Sequence, residues 1–169
     1  ALETKPADLE LLKNTSYEAT TIGEKVVEQI GIIGEKLDLS YFKSVSADHV
    51  QAYIHPGNML ATLVGFTRAG VEPQVYKDVA MQVAAMNPVA VDKDDVSEKV
   101  INQEKEIGME QARREGKPDN LLEKIAMGKL QKFFKENTLL NQDFVKNNKQ
   151  TIKQYLQSVD KDLTVTEFD

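Results

Sequence analysis

The chain has 169 residues, 41% hydrophobic and 28% charged, a balance that excludes disordered and fibrous classes and leaves enough apolar side chain for one main core. A net charge of −6 argues against a non-specific grip on phosphates, so no direct nucleic-acid partner is expected. With no cysteine, a disulfide framework, a thiolate zinc site and a cysteine nucleophile are excluded, which fits a cytoplasmic setting, and no apolar run reaches the roughly 20 residues of a membrane-spanning helix, so no membrane partner is expected.

The chain starts at Ala1 without Met, directly before a helix-like segment, and a piece of a longer protein is the expectation. Residues 1–36 read as a helical segment belonging to the core. Pro6 sits near a helix start ahead of Leu9, Leu11 and Leu12, and Ser16 is the expected N-cap of a second helix carrying Ile22, Val26, Val27 and Ile30. Gly31 and Gly34 are expected to stop it.

Residues 37–93 read as an α+β subdomain. Leu37, Leu39 and Tyr41 alternate with polar residues, Val50, Ala52 and Ile54 do the same, and Leu60, Thr62, Val64 and Phe66 follow a Pro56-Gly57-Asn58 turn. Three antiparallel strands are therefore expected, each with one buried face. Next, Tyr76, Val79, Ala80, Val83 and Ala84 recur at helical spacing, with Met81 and Met86 as gap-fillers of the core, until Asn87-Pro88 ends the helix.

Residues 94–136 read as a helical hairpin: a charged helix to about Glu115 with Asp92 or Asp94 as N-cap, the Gly116-Lys117-Pro118 connection, and a second helix carrying Leu122, Ile125, Ala126, Leu130 and Phe133. Lys124, Lys129, Lys132 and Lys135 read as its solvated face. In residues 137–169, "FVKNNKQ" reads as a polar loop, "TIKQYLQSV" as a helix capped by Thr151 and "LTVTEF" as a last strand. The fold class is α+β, a small antiparallel sheet of three or more strands packed with helices, with an inserted antiparallel coiled-coil hairpin.

Chemistry is sparsely signalled. The histidines, His49 and His55, are six residues apart on one strand, roughly 20 Å between α-carbons, so they cannot share a metal. No His-Glu-x-x-His, paired-carboxylate or phosphate-loop spacing occurs, so no catalytic residue, metal or cofactor is expected. On pattern alone His55 is compatible with a base, a ligand, a docking contact or a polar turn residue without a task.

Four stretches narrow this: "YIHPGNMLATLVGF" (53–66), "VAMQVAAMNP" (79–88), "DDVSEKVINQEKEI" (94–107) and "EGKPDNLLEKIAMGKLQKFFKENTLLNQDFV" (115–145). In this order and spacing, over nearly the whole chain, the sequence resembles the bacterial translation elongation factor Ts family, the guanine-nucleotide exchange factors of elongation factor Tu. The resemblance implies two similar α+β subdomains with a coiled-coil hairpin emerging from the second, no covalent chemistry, and elongation factor Tu as partner. It places a docking histidine at His55, with Pro56, Gly57, Asn58, Met59, Met81 and Gln82 in the same docking set. Many members carry a more basic Gly-Arg-Ile-Gly-like run where Pro56 to Met59 stand. The family's N-terminal helical domain and its Thr-Asp-Phe-Val motif, whose Asp and Phe disturb the magnesium site of the partner, do not occur in these 169 residues, and Thr166 to Asp169 is not that motif. Two other readings are a homodimerising module using the hairpin and, most weakly, a hydrolase with His55 as base.

Overall fold

The computed structural model describes residues 2–169, and its contacts fall into two units, one ending at Ser44 and the other beginning at Val45. In the first unit, Asp8 caps the short helix α1 (Leu9–Lys13) through the Leu11 N–H. Strands β1 (Ser16–Tyr17) and β2 (Thr20–Thr21) pair antiparallel and lead into α2 (Ile22–Ile33). The N-cap of α2 is Thr21, not the expected Ser16. Thr21 and Glu24 form a reciprocal capping box that satisfies two end N–H groups, whereas Ser16 is committed to the strand pair. Gly31 lies inside α2, and only Gly34, at φ 77°, ends it.

The strand expected at Leu37–Tyr41 is absent: residues 36–46 carry no regular secondary structure. Alternation supplies a face, but a strand also requires a neighbouring ladder. The third strand of the sheet comes instead from the C-terminus.

In the second unit, β3 (His49–Ile54) and β4 (Ala61–Phe66) pair antiparallel, and β7 (Val165–Phe168) joins the other edge of β4, giving the order β3-β4-β7. Helix α3 (Pro73–Met86) lies across β3 and β4, burying Val75, Tyr76, Val79, Ala80 and Val83. The buried face of β4 is Thr62, Val64 and Phe66, as the alternation predicts, whereas Leu60, expected with them, lies before the strand and is exposed. On β3 the expectation is inverted. The residues opposite these are Tyr53, Gln51 and His49, so they turn toward α3 while Val50, Ala52 and Ile54 face outward. Strand parity permits only one choice, and His49 takes the inner side by stacking on Tyr76 at 3.8 Å beside Phe66. Its Nε2 is buried with no hydrogen-bond partner.

Asn87 ends α3 in a left-handed conformation (φ 43°), and Met86, expected in the core, is exposed. Asp92 caps a 3-10 turn (Lys93–Asp95), and the following helix α4 (Glu98–Arg114) takes Ser97 as its own cap. Gly116, at φ 75°, closes α4: its N–H reaches the Arg113 carbonyl and the Lys117 N–H reaches that of Ala112. Helix α5 (Asp119–Asn137) returns antiparallel, burying Leu122, Ala126 and Leu130 against Gly108 and Ala112. A Cβ on Gly108 would stand 3.1 Å from the Ala126 Cα, so small residues set the helix separation. The hairpin is clamped at its root, where the N–H groups of Val89, Leu139 and Leu140 donate to the carbonyls of Asn137, Ala90 and Val91.

The expected loop at Phe144–Gln150 is a second small hairpin, β5 (Asp143–Phe144) with β6 (Asn147–Thr151). Thr151 then caps α6 (Ile152–Val159), as expected. Asp78 of α3 ties these parts together: buried, it accepts from Gln74 (2.6 Å), Lys146 (2.7 Å) and the Tyr155 hydroxyl (3.2 Å).

Two outcomes follow from this packing. Gly65 lies where a Cβ would come within 2.7 Å of Thr166 Oγ1 and 2.9 Å of the Ala47 Cβ; Gly65→Val should cost about 1–3 kcal/mol in urea unfolding. Burial, then the charge and hydrogen bond of Asp78, push the Tyr155 hydroxyl up to about 12. Since the neutral form is favoured in the folded state, its contribution is complete below the ordinary tyrosine value near 10 and is lost as pH rises through about 12. Tyr155→Phe should remove that component of alkaline destabilisation, read from unfolding midpoints across the interval.

Candidate functional site

The β3–β4 connection is an exposed loop closed by backbone hydrogen bonds. Pairing ends at Ile54 and Ala61, and the His55 N–H donates to the Leu60 carbonyl at 2.8 Å, closing the loop at its base. Within it, the Asn58 N–H donates to the His55 carbonyl at 3.0 Å across Pro56 and Gly57. Proline presets its own φ, and Gly57 supplies the φ of 98° that a type II turn requires at its third position. Asn58 continues at φ 57°, a region asparagine tolerates better than most residues.

His55 to Leu60 are all exposed, Met59 most of all at 97%. Behind the loop, Tyr53 packs its ring against the core, and its hydroxyl lies 3.0 Å from His55 Nδ1 with the rings tilted at 64°. The opposing residue on β4, Thr62, donates to the Ala80 carbonyl of α3 at 3.1 Å. The loop base is therefore tied to the helix through one threonine, with the Tyr53 ring packed on the core beside it. The outward face of β3 adds exposed apolar surface next to the loop, with Ile54 62% and Val50 37% accessible.

The expected docking residues separate into two groups. His55, Pro56, Gly57, Asn58 and Met59 share this loop. Met81 is half-buried on α3, next to the Ala80 that receives the Thr62 bond. Gln82 does not join the exposed surface: it is wholly buried and fastens α3 to the segment after α5. Its Nε2 donates to Gln142 Oε1 and to the Asp143 carbonyl, both at 3.2 Å, and its Oε1 accepts from the Val145 N–H at 2.9 Å. Helical periodicity places Gln82 between Val79 and Val83 on the inward side, a signal its polarity masks.

Tyr53 is the residue the sequence reading passed over. Its signal was available, because a Tyr-x-His spacing on a strand puts both side chains on one side of the sheet. Among the described residues, no group of three or more His, Asp or Glu side chains is arranged to hold a metal ion. An apolar groove in the first unit, lined by Tyr17, Ile22, Val26, Leu37 and Leu39 with Lys25 and Asp38 at its margin, likewise gathers no reactive constellation.

A family model described as elongation factor TS matches residues 1–169. The elongation factor Ts of Porphyromonas gingivalis is 48% identical over 169 residues, covering 99% of this chain and 61% of that protein. That of Amoebophilus asiaticus is 50% identical over 170 residues with the same coverage. That of Hydrogenobaculum sp. is 46% identical over 135 residues, 80% of this chain and 48% of the relative. The chain thus spans about three fifths of the length of the first two relatives.

Replacing Gln82 by Leu would leave the Val145 N–H and the Asp143 carbonyl without that partner. The expected loss is about 1–3 kcal/mol of stability in denaturant unfolding.

Proposed function

Since the chain belongs to the elongation factor Ts family, we propose that it is the docking core of a guanine-nucleotide exchange factor that binds elongation factor Tu in the cytoplasm during translation elongation. Such a protein performs no covalent chemistry. It binds the nucleotide-free GTPase more tightly than the loaded one, and linkage then weakens nucleotide affinity by the same factor. The observation that carries the reading is the match across all 169 residues, together with an exposed loop closed by its own backbone hydrogen bonds.

In this reading His55 and the turn to Met59 form the main contact, and the sheet edge and Met81 contribute beside them. Met59 is a flexible apolar side chain in full solvent, suited to filling a pocket on a partner. The magnesium-disturbing Thr-Asp-Phe-Val element that the family resemblance implies is not among these residues, so the core supplies grip and little disruption. A second reading, self-association through the hairpin, draws support from Ile107, Leu121 and Met127, which are accessible on α4 and α5. Sedimentation at several concentrations separates it from the first.

His55→Ala should weaken capture of nucleotide-free elongation factor Tu by about 1–3 kcal/mol, as an interface hot spot does. Stopped-flow release of labelled GDP should show the 169-residue chain accelerating exchange only weakly, and full-speed exchange would end the division between grip and disruption.

A further inference from the structure

The direction of the Tyr53–His55 hydrogen bond bears on what the partner must present. The inference rests on the docking role proposed for His55. In the described structure the Tyr53 hydroxyl has one hydrogen-bond partner, the Nδ1 of His55 at 3.0 Å. A neutral imidazole carries its proton on one nitrogen and accepts at the other, and the bond made at one nitrogen decides the state of its neighbour. A phenol is a good donor and a poor acceptor because its oxygen lone pair is delocalised into the ring, whereas the bare imidazole nitrogen is a good acceptor. The hydroxyl therefore donates to Nδ1. The proton then sits on Nε2 of this solvent-exposed histidine.

We propose that Tyr53 is a positioning residue for partner binding: it fixes His55 as the Nε2–H tautomer, so that the loop offers a hydrogen-bond donor to an acceptor oxygen on the partner, a main-chain carbonyl or a carboxylate. Tyr53 is fitted for this by being half in the core. Its ring packs against the buried core cluster and stands edge-on to the imidazole, with centroids 6.1 Å apart. It needs no movement on binding. The ring of His55 is thus ordered in the free protein, and the entropy of ordering it is not lost again on association.

The test uses the full chain labelled with 15N at histidine, where two histidines make assignment direct. Imidazole nitrogen resonances of His55 in the free protein should show a single Nε2–H form, and Tyr53→Phe should convert them to an average of tautomers. Binding to nucleotide-free elongation factor Tu should weaken about three- to tenfold in Tyr53→Phe, the amount expected for one hydrogen bond. Combined with His55→Ala, Tyr53→Phe should add nothing. Added salt should reduce the His55 contribution if the acceptor is a carboxylate and leave it unchanged if it is a carbonyl; either result supports a donor role. An Nδ1–H tautomer in the unmutated chain, ring signals indifferent to Tyr53→Phe, or additive losses in the double variant would overturn the assignment. Absence of all binding by the unmutated chain would remove the exchange-factor reading instead, and the ring resonances would still decide the role of Tyr53.

Discussion

The second unit depends on the burial of Phe66 against Tyr76. Their rings meet edge to face, 4.8 Å apart, and both are sealed from solvent. Burying a side chain of this size stabilises by roughly 2–3 kcal/mol, and the aromatic pairing adds about 0.5–1.5 kcal/mol. Because Phe66 sits at the end of β4 and Tyr76 in the first turns of α3, this one contact sets which face of the sheet is covered. Parity then assigns the side of every other residue on the strand and on its partner.

That assignment explains an otherwise odd distribution. The more polar residues of β3, His49, Gln51 and Tyr53, face the helix, and its aliphatic residues face out. Two inner positions are reconciled by aromatic chemistry, since His49 stacks on Tyr76 and Tyr53 lays its ring on the core while its hydroxyl reaches the loop. The arrangement ties a buried cluster to an exposed histidine by a short covalent and hydrogen-bonded route. A loop so held is a suitable docking feature, because little freedom remains to be lost when a partner binds.

Polar groups inside the unit do a different task. Asp78 and Gln82 both lie on α3, yet each reaches across to the C-terminal third of the chain, Asp78 to Lys146 and Tyr155, Gln82 to Gln142 and the backbone at Asp143 and Val145. Asp92 does the same from the root of the hairpin. Burial alone would raise its carboxyl, but bonds from Asn141 and the Lys93 N–H, with Lys153 nearby, hold it below the ordinary range. The long excursion through α4 and α5 therefore returns to a prepared seat, with directional bonds that apolar packing by itself would not supply.

Much of this was legible in the chain itself. The i, i+3, i+4 stripe of α3, the Gly116-Lys117-Pro118 joint and the Thr151 cap are local signals, decided by residues within a few positions of one another. The exposed turn at Pro56 and Gly57 was also local, because proline and glycine restrict or release φ whatever surrounds them. Tertiary structure alone decided what depended on distant partners. Leu37 to Tyr41 alternate like a strand but gain no ladder, while Val165 to Phe168 complete the sheet from the far end of the sequence. The outward turn of Val50, Ala52 and Ile54 likewise came from the packing of α3, and the bonds Gln82 makes came from residues some sixty positions away. A single strand's periodicity carries two equivalent faces, and only the element packed against it selects one.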